Sequence, residues 1–212
     1  MDTTQMKEWK GNFGIEYTKR TFKNITEIDN KYLNRYGITR SGMNKNFLLD
    51  IPISRFLEVG TNVGNQLLLL QKLGFNDLWG IEISDFAIEM AKKNTKKINI
   101  IKASALDIPF KDNFFDIVFT SGLLIHIDPS DINKVMDEIY RTSKRYIWGF
   151  EYFSDKYEQV KYRGLQNLLW KTNFAILFMD RFSNLILIKE EKYNYFIDNI
   201  NYIDHMYLLE IF

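Results

Sequence analysis

The chain of 212 residues has no cysteine. Disulfides, thiolate metal sites and a cysteine nucleophile are therefore excluded. Histidine is scarce, with only His126 and His205, so a histidine-rich metal centre is not expected and no metal is assigned. The three prolines, at 52, 109 and 129, each fall where an element should start or stop. No apolar stretch approaches the ~20 residues of a membrane span. The N-terminus, "MDTTQMKEWKGN", lacks the apolar core of a signal peptide, so the expected location is the cytoplasm, with no membrane partner. Neither charge sign dominates: 28 Lys and Arg against 27 Asp and Glu give a net charge of +1. Nothing global therefore draws the chain to nucleic acid or to an anionic surface. Internal repeats and low-complexity linkers are also missing.

What is present is the balance of a globular protein, 46% hydrophobic and 26% charged, long enough for one large domain. The reading is a single domain over 1–212. Residues 1–50 form an N-terminal helical lid, 51–151 a core, and 152–212 a substrate-side segment with C-terminal strands. Continuous apolar residues predict a buried strand at 55–59, followed by a helix at 65–73. Strands are expected at 78–82, 98–103, 114–121 and 145–151. Amphipathic helices are expected at 84–97, with Ser84 as N-cap, and at 130–143. This alternation predicts an α/β, doubly wound, mostly parallel sheet with helices on both faces. The tail breaks the alternation. "NFAILFM" (173–179), "NLILIK" (184–189) and "HMYLLEIF" (205–212) read as strands, the last two as an antiparallel pair with 190–204 as a long loop.

The first strand ends in "RFLEVGTNVGNQLLLL" (55–70). Gly60 and Gly64 remove side chains where a ligand must touch backbone, and Glu82 stands 22 residues after Gly60 at the end of the second strand. A carboxylate there suits both hydroxyls of a ribose. Dinucleotides and S-adenosylmethionine both carry one. The glycine spacing is wrong for pyrophosphate, Asn62 takes the middle position, and Glu58 would repel phosphate. Glu58 instead suits an ammonium group, or the fixing of the loop.

These residues resemble the class I S-adenosylmethionine-dependent methyltransferases: "FLEVGTNVGN" is similar to their first motif, "GIEIS" to their acidic second motif, and "ASALDIPFKDNFFDIVFTSGLLIHI" to the run bearing the adenine wall and fourth strand. The resemblance implies a Rossmann-like, seven-stranded sheet closed by an antiparallel C-terminal strand. It implies that Glu58, Gly60 and Gly64 line the methionine half of the cofactor and that Glu82 holds the ribose; Asn62, which stands where many members have Gly, is counted with the cofactor-binding residues. Ile83, Ser104, Ala105 and Leu106 would border the adenine, and Ser121 and Gly122 would lie where the methyl group points. Ser104 stands where many members have Asp; Asp107 is a neighbouring candidate for the adenine contact or a cap for the turn before Pro109. A narrower resemblance, carried by "EWKGNFGIEYTKR" and "FEYFSDKYEQVKYRGLQNLLWKTNF", is to methylases associated with pseudaminic acid biosynthesis. It implies a sugar or nucleotide sugar as acceptor.

Methyl transfer asks the protein for orientation, a dry site and a base if the nucleophile needs one. Strand-end residues of such a sheet point into one crevice, which predicts acceptor contacts from 121–126 and 151–153. His126 is the leading base, against a structural histidine in "LLIHIDP". Glu151 is the second, against a loop-capping carboxylate. His205 reads as structural. Tyr152, Tyr162 and Arg163 are substrate-side candidates, Arg163 as a clamp for carboxylate or phosphate. Trp9, Phe13, Tyr17 and Arg20 fall near helical spacing; they pack a lid onto the core, or place Tyr17 and Arg20 by the cofactor carboxylate.

No Asn/Asp-Pro-Pro-Tyr run follows the fourth strand, where "TSGL" stands, and no basic arm is present. Methylation of nucleic-acid bases is disfavoured; the expected acceptor is a small molecule, and the chain a monomer or homodimer. Alternatives are an O- or N-methyltransferase of another small molecule or peptide, a non-catalytic S-adenosylmethionine-binding protein that never yields S-adenosylhomocysteine, and a nicotinamide-dependent enzyme.

Overall fold

The computed structural model describes residues 3–21, 23–197 and 200–212. Seven strands form one mostly parallel sheet in the order β3 (Asn99–Lys102), β2 (Asp77–Glu82), β1 (Arg55–Val59), β4 (Phe115–Ser121), β5 (Ser143–Tyr152), β9 (Ile200–Ile211), β8 (Leu185–Ile197), in the Rossmann-like arrangement expected. The chain falls into two compact units, Met1–Ala105 and Leu106–Phe212.

The first unit opens with four helices, α1 (Thr4–Lys10), α2 (Asn12–Thr21), α3 (Ile25–Tyr36) and α4 (Arg40–Leu48). Their boundaries are written in caps. Asn24 and Glu27 make a reciprocal capping box at the start of α3, Gly37 ends it in the left-handed region at φ 75°, and the Thr39 hydroxyl receives the Gly42 N–H. The aromatic stripe read as one helix is split at Gly11. Trp9 lies in the last turn of α1 while Phe13 and Tyr17 lie on α2, yet both rings meet Trp9 edge-on, at 5.2 and 5.1 Å between centroids. The alternating part follows: β1 (Arg55–Val59), α5 (Asn65–Lys72), β2 (Asp77–Glu82), α6 (Asp85–Asn94) and β3 (Asn99–Lys102), with β1 and β3 both parallel to β2. Ser84 caps α6 as predicted.

The second unit contains β4 (Phe115–Ser121), a single 3₁₀ turn at Leu124–His126, α7 (Ile132–Thr142), β5 (Ser143–Tyr152), the short strands β6 (Glu158–Gln159) and β7 (Trp170–Lys171), α8 (Phe174–Arg181), β8 (Leu185–Ile197) and β9 (Ile200–Ile211). On α7, Ile132, Val135, Met136 and Ile139 repeat at helical spacing and are all buried. β5 runs parallel to β4; β9 pairs antiparallel with β5 and with β8.

The tail corrects the sequence reading twice. The strand expected at 173–179 is α8: the Asn173 side chain accepts the Ile176 N–H and caps a helix. A short apolar run has no period that separates buried strand from buried helix, and here the cap decides. The loop expected over 190–204 is strand for most of its length. β8 runs to Ile197 and β9 begins at Ile200, registered from Leu185 opposite Ile211 to Ile197 opposite Ile200. Its charged middle satisfies backbone by cross-strand bonding, so apolar alternation is not required there. Among the described residues no helix is long and apolar enough to cross a membrane.

Candidate cofactor and acceptor sites

The turn after β1 is built from left-handed residues. Gly60, Asn62 and Gly64 have φ of 76°, 48° and 77°. At Gly64 a Cβ would stand 2.8 Å from Thr95, so side chain and conformation both exclude other residues. Asn62 tolerates the region as asparagine does, and its amide donates to Thr18 Oγ1 on α2 at 3.1 Å. Asn65 repeats the tie one turn later, donating to the Thr21 carbonyl at 2.8 Å. The turn is thus fastened to α2.

Glu82 ends β2, 9% exposed, beside this turn. Its Oε2 accepts the Asn62 N–H at 3.0 Å, and Oε1 accepts those of Ile83 and Ser84 at 2.8 and 2.9 Å. Burial raises its pKa, and the Ser84, Asn62 and Ile83 N–H groups oppose the rise. These bonds fix the carboxylate, and its remaining lone pairs suit a vicinal diol. Ile83, Ser104 and Ala105 are half-buried near the ends of β2 and β3, and the Ala103 N–H binds the Glu82 carbonyl at 3.0 Å.

Glu58 is 3% exposed and accepts the Thr61 hydroxyl at 2.7 Å. Burial pushes its pKa up to about 8, against the Thr61 hydrogen bond and the Arg40 guanidinium, while Glu82 adds a further upward push. Arg40 is fully buried, and its Nε donates to Gln66 Oε1 at 3.0 Å. One helical turn on, Asn44 is also fully buried, and neither its Oδ1 nor its Nδ2 has a hydrogen-bond partner among the described residues. The Asn62 Oδ1 is in the same condition. Sealed, unpaired amide atoms cost free energy unless something binds them. No side chain caps the first turn of α5. An acid, a cation and unpaired amides around a bare turn fit the zwitterionic end of an amino acid.

The sequence reading missed Arg40 and Asn44. Their signal is polar residues four apart on the same short helix as the buried Met43, Phe47 and Leu48. Arg20, read as the cofactor's cation, is exposed on α2, and Tyr17 is half-buried against Trp9.

In the second unit, Ser121 and Gly122 follow β4. Gly122, at φ 68°, donates its N–H to the Phe150 carbonyl at 2.9 Å. Leu106 is half-buried at the unit's start. His126 is 7% exposed, and its Nδ1 lies 2.6 Å from the Leu168 carbonyl. A carbonyl only accepts, so Nδ1 carries the proton and the lone pair is on Nε2. Burial lowers the imidazole pKa to about 4, against the Leu168 contact, so the ring is neutral at physiological pH. Tyr162 meets this ring at 5.2 Å, and the Arg163 guanidinium lies 5.6 Å from the Tyr162 centroid. Arg163 is itself left-handed at φ 50°. The candidates His126, Tyr162 and Arg163 are brought together. Glu151 is 1% exposed with both oxygens engaged by backbone N–H groups, and Tyr152 ends β5, half-buried opposite Asp204. Among the described residues no group of acids and histidines is arranged to hold a metal.

Residues 57–146 match the family model described as methyltransferase domain. An O-methyltransferase of Aspergillus nomiae is 32% identical over 80 residues, 35% of this chain and 36% of that protein. A sterol methyltransferase-like protein of Botryococcus braunii is 28% identical over 99 residues, 44% of this chain and 25% of that protein. The chain spans from 25% to 53% of the length of the curated relatives it matches. The structure of a SAM-dependent methyltransferase from Leishmania major superposes with a TM-score of 0.70 at 17% identity, over 98% of this chain and 87% of that one. Residues 57–146 are thus similar to a methyltransferase domain, and the superposition shows the Rossmann-like methyltransferase fold.

Proposed function

We propose that the protein transfers a methyl group from S-adenosylmethionine to a small-molecule acceptor. The observation that carries this is Glu82, a buried carboxylate fixed by three backbone N–H groups at the rim of a glycine turn. Glu82 takes the ribose hydroxyls; Ile83, Ser104, Ala105 and Leu106 take the adenine. Glu58 accepts the cofactor's ammonium, and Gly60, Asn62 and Gly64 let it approach the backbone. Arg40 and Asn44 take its carboxylate, the role sought in Arg20; Tyr17 contributes from α2. The resemblance assigns Ser121 and Gly122 to the reacting end. When bound, the cofactor supplies an activated methyl group on a sulfonium sulfur.

On the acceptor side, His126 is the base. Its Nδ1–H is committed to Leu168, and its Nε2 lone pair takes the proton of an acceptor hydroxyl or amine. A pKa held near about 4 keeps it unprotonated at neutral pH. Tyr162 and Arg163 supply an aromatic face and a cation for a charged acceptor, and Tyr152 a hydroxyl. The resemblance of 150–174 is the ground for a sugar or nucleotide sugar as acceptor.

Calorimetric titration with S-adenosylmethionine and S-adenosylhomocysteine, wild type beside Glu82→Ala, tests the reading. Loss of a charged hydrogen-bond partner should weaken binding by ~1.5–3 kcal/mol. Equal binding by the variant, or none by the wild type, overturns the cofactor site. Binding without release of S-adenosylhomocysteine from any acceptor would leave a cofactor-binding protein.

A further inference from the structure

A second group of buried titratable side chains lies at the end of β5. The pairing register sets Glu151 opposite His205 and Gly149 opposite Tyr207, with Thr120 beside Gly149 on β4. On the outer strand, Lys192 lies opposite His205 and Glu190 opposite Tyr207. Partners in a ladder, and residues two apart, project to one face, so these groups share a face. Glu151 and His205 are each 1% exposed, and Tyr207 is fully buried. Gly149 makes this possible, because a Cβ there would run into the Tyr207 ring. His205 Nε2 lies 2.9 Å from Glu190 Oε2, and its Nδ1 has no partner among the described residues. Phe153 packs edge-on over the imidazole at 5.4 Å, and Lys192 stands 3.7 Å from the Phe153 centroid.

Polar groups sealed at such a place cost more than apolar ones of the same shape, so their bonds must accomplish something. The bonds of Glu151 lead to one segment: Oε1 accepts the Leu123 N–H at 3.1 Å and Oε2 that of Ile125 at 3.4 Å. That segment is a single 3₁₀ turn, too short to satisfy its own first N–H groups, and its last residue is His126.

We propose that Glu151, backed across the ladder by His205 and Glu190, is a positioning residue that clamps the loop 122–126 and so aims His126. The purpose of the aim rests on His126 being the base; the clamp does not. Glu151 therefore acts through the loop and does not meet the acceptor. Its pKa is pushed up to about 7, chiefly by burial, against the Thr120 hydroxyl and the N–H groups of Leu123, Leu124 and Ile125. Facing it are Thr120 from β4, Tyr207 and His205 from β9, and Glu190 and Lys192 from β8. A carboxylate accepts from the N–H groups through both oxygens, and a carboxylic acid does so more weakly. The clamp is full above about pH 7 and loosens below it.

The test is amide hydrogen exchange and imidazole NMR on the whole chain, whose two histidines are distinguished by substitution. In Glu151→Gln, the Leu123 and Ile125 amides should exchange ~10-fold faster or more and the His126 ring signals should move, while β4 amides stay protected. His205→Phe keeps a ring between Phe153 and Tyr207 but loses the bond to Glu190; ~3-fold faster exchange is expected at the same amides. Unchanged exchange and an unmoved His126 in folded Glu151→Gln overturn the proposal. If that variant does not fold, the wild type is taken from about pH 8 to about 5.5. The ratio of loop to β4 exchange, corrected for intrinsic rates, should then rise; a flat ratio together with unchanged loop exchange in His205→Phe overturns the clamp. Turnover surviving His126→Gln would remove the base and leave the clamp standing.

Discussion

Buried carboxylates end strands in both units, and they are spent differently. At the turn after β1, Glu58 accepts the Thr61 hydroxyl, with the Arg40 cation in its field; among the described residues the Asn62 Oδ1 and, on α4, the Asn44 amide have no partner. At the end of β5, Glu151 is consumed by backbone N–H groups of its own unit. Both acids are raised by burial, Glu58 to about 8 and Glu151 to about 7. A raised pKa alone thus does not tell a binding group from a loop anchor. What tells them apart is how the fold's own donors take up the acid. Glu151 accepts backbone N–H groups through both oxygens, whereas Glu58 accepts the Thr61 hydroxyl through Oε2.

The comparison breaks most visibly at Glu58. Its folded pKa of about 8 lies above the ordinary 4.5, so the native state holds a proton that the unfolded chain has given up between those values. The group's contribution to stability is therefore complete below about pH 4.5 and is lost as pH rises through about 8. Urea denaturation at several pH values should show stability falling over that window, and Glu58→Gln should remove ~2–4 kcal/mol of the fall. Glu151 contributes with the same sign up to about pH 7, so some slope must survive in the variant. An unchanged profile would mean that Glu58 titrates as an ordinary surface acid. If a ligand ammonium binds beside Glu58, it favours the carboxylate. Titrations near pH 7 in buffers of different ionisation enthalpy should then report proton release.

Arg40 sharpens the contrast from the other charge. Arg40→Met keeps the length of the side chain and removes the cation. S-adenosylmethionine binding should weaken by ~2 kcal/mol, the scale of a hydrogen bond to a charged group. Arg20→Met, at an exposed position on α2, should change binding by less than ~0.5 kcal/mol. If calorimetry finds the larger loss at Arg20, the carboxylate lies by α2, as the sequence reading had it.

The sequence disclosed the alternating core closely, because β1 and β4 are nearly continuous buried runs, α7 carries an apolar stripe and α6 a Ser84 cap. Glu58, Gly60, Gly64 and Glu82 were legible for a related reason: a turn that needs φ near 76° and an acid at a strand end leave marks in residue type. Arg40 and Asn44 were not found, since what distinguishes them is burial, and burial of α4 depends on packing rather than on nine residues of local sequence. The tail was misread where tertiary pairing outweighs pattern. α8 is apolar enough to pass for a strand, and β8 is charged enough to pass for a loop. His205 read as structural, and only the register opposite Glu151 gives it a neighbour worth testing.

Asn44 gives the smallest effect and the most pointed one, because stability and binding should move in opposite directions. Leucine has nearly the shape of asparagine and no polar atoms. In the ligand-free protein, Asn44→Leu removes buried donors and an acceptor that have no partner among the described residues, and it places a better helix former inside α4. Replacing an unsatisfied buried amide by an apolar group of the same shape should stabilise the fold by ~1 kcal/mol. Binding of S-adenosylmethionine should weaken by a similar ~1 kcal/mol, since the amide is satisfied only when the ligand arrives. Denaturation and calorimetry on one preparation read both signs. A destabilised variant with unchanged binding would mean that Asn44 is satisfied within the fold itself. Asn44 would then resemble Glu151, a polar group that the protein uses on itself.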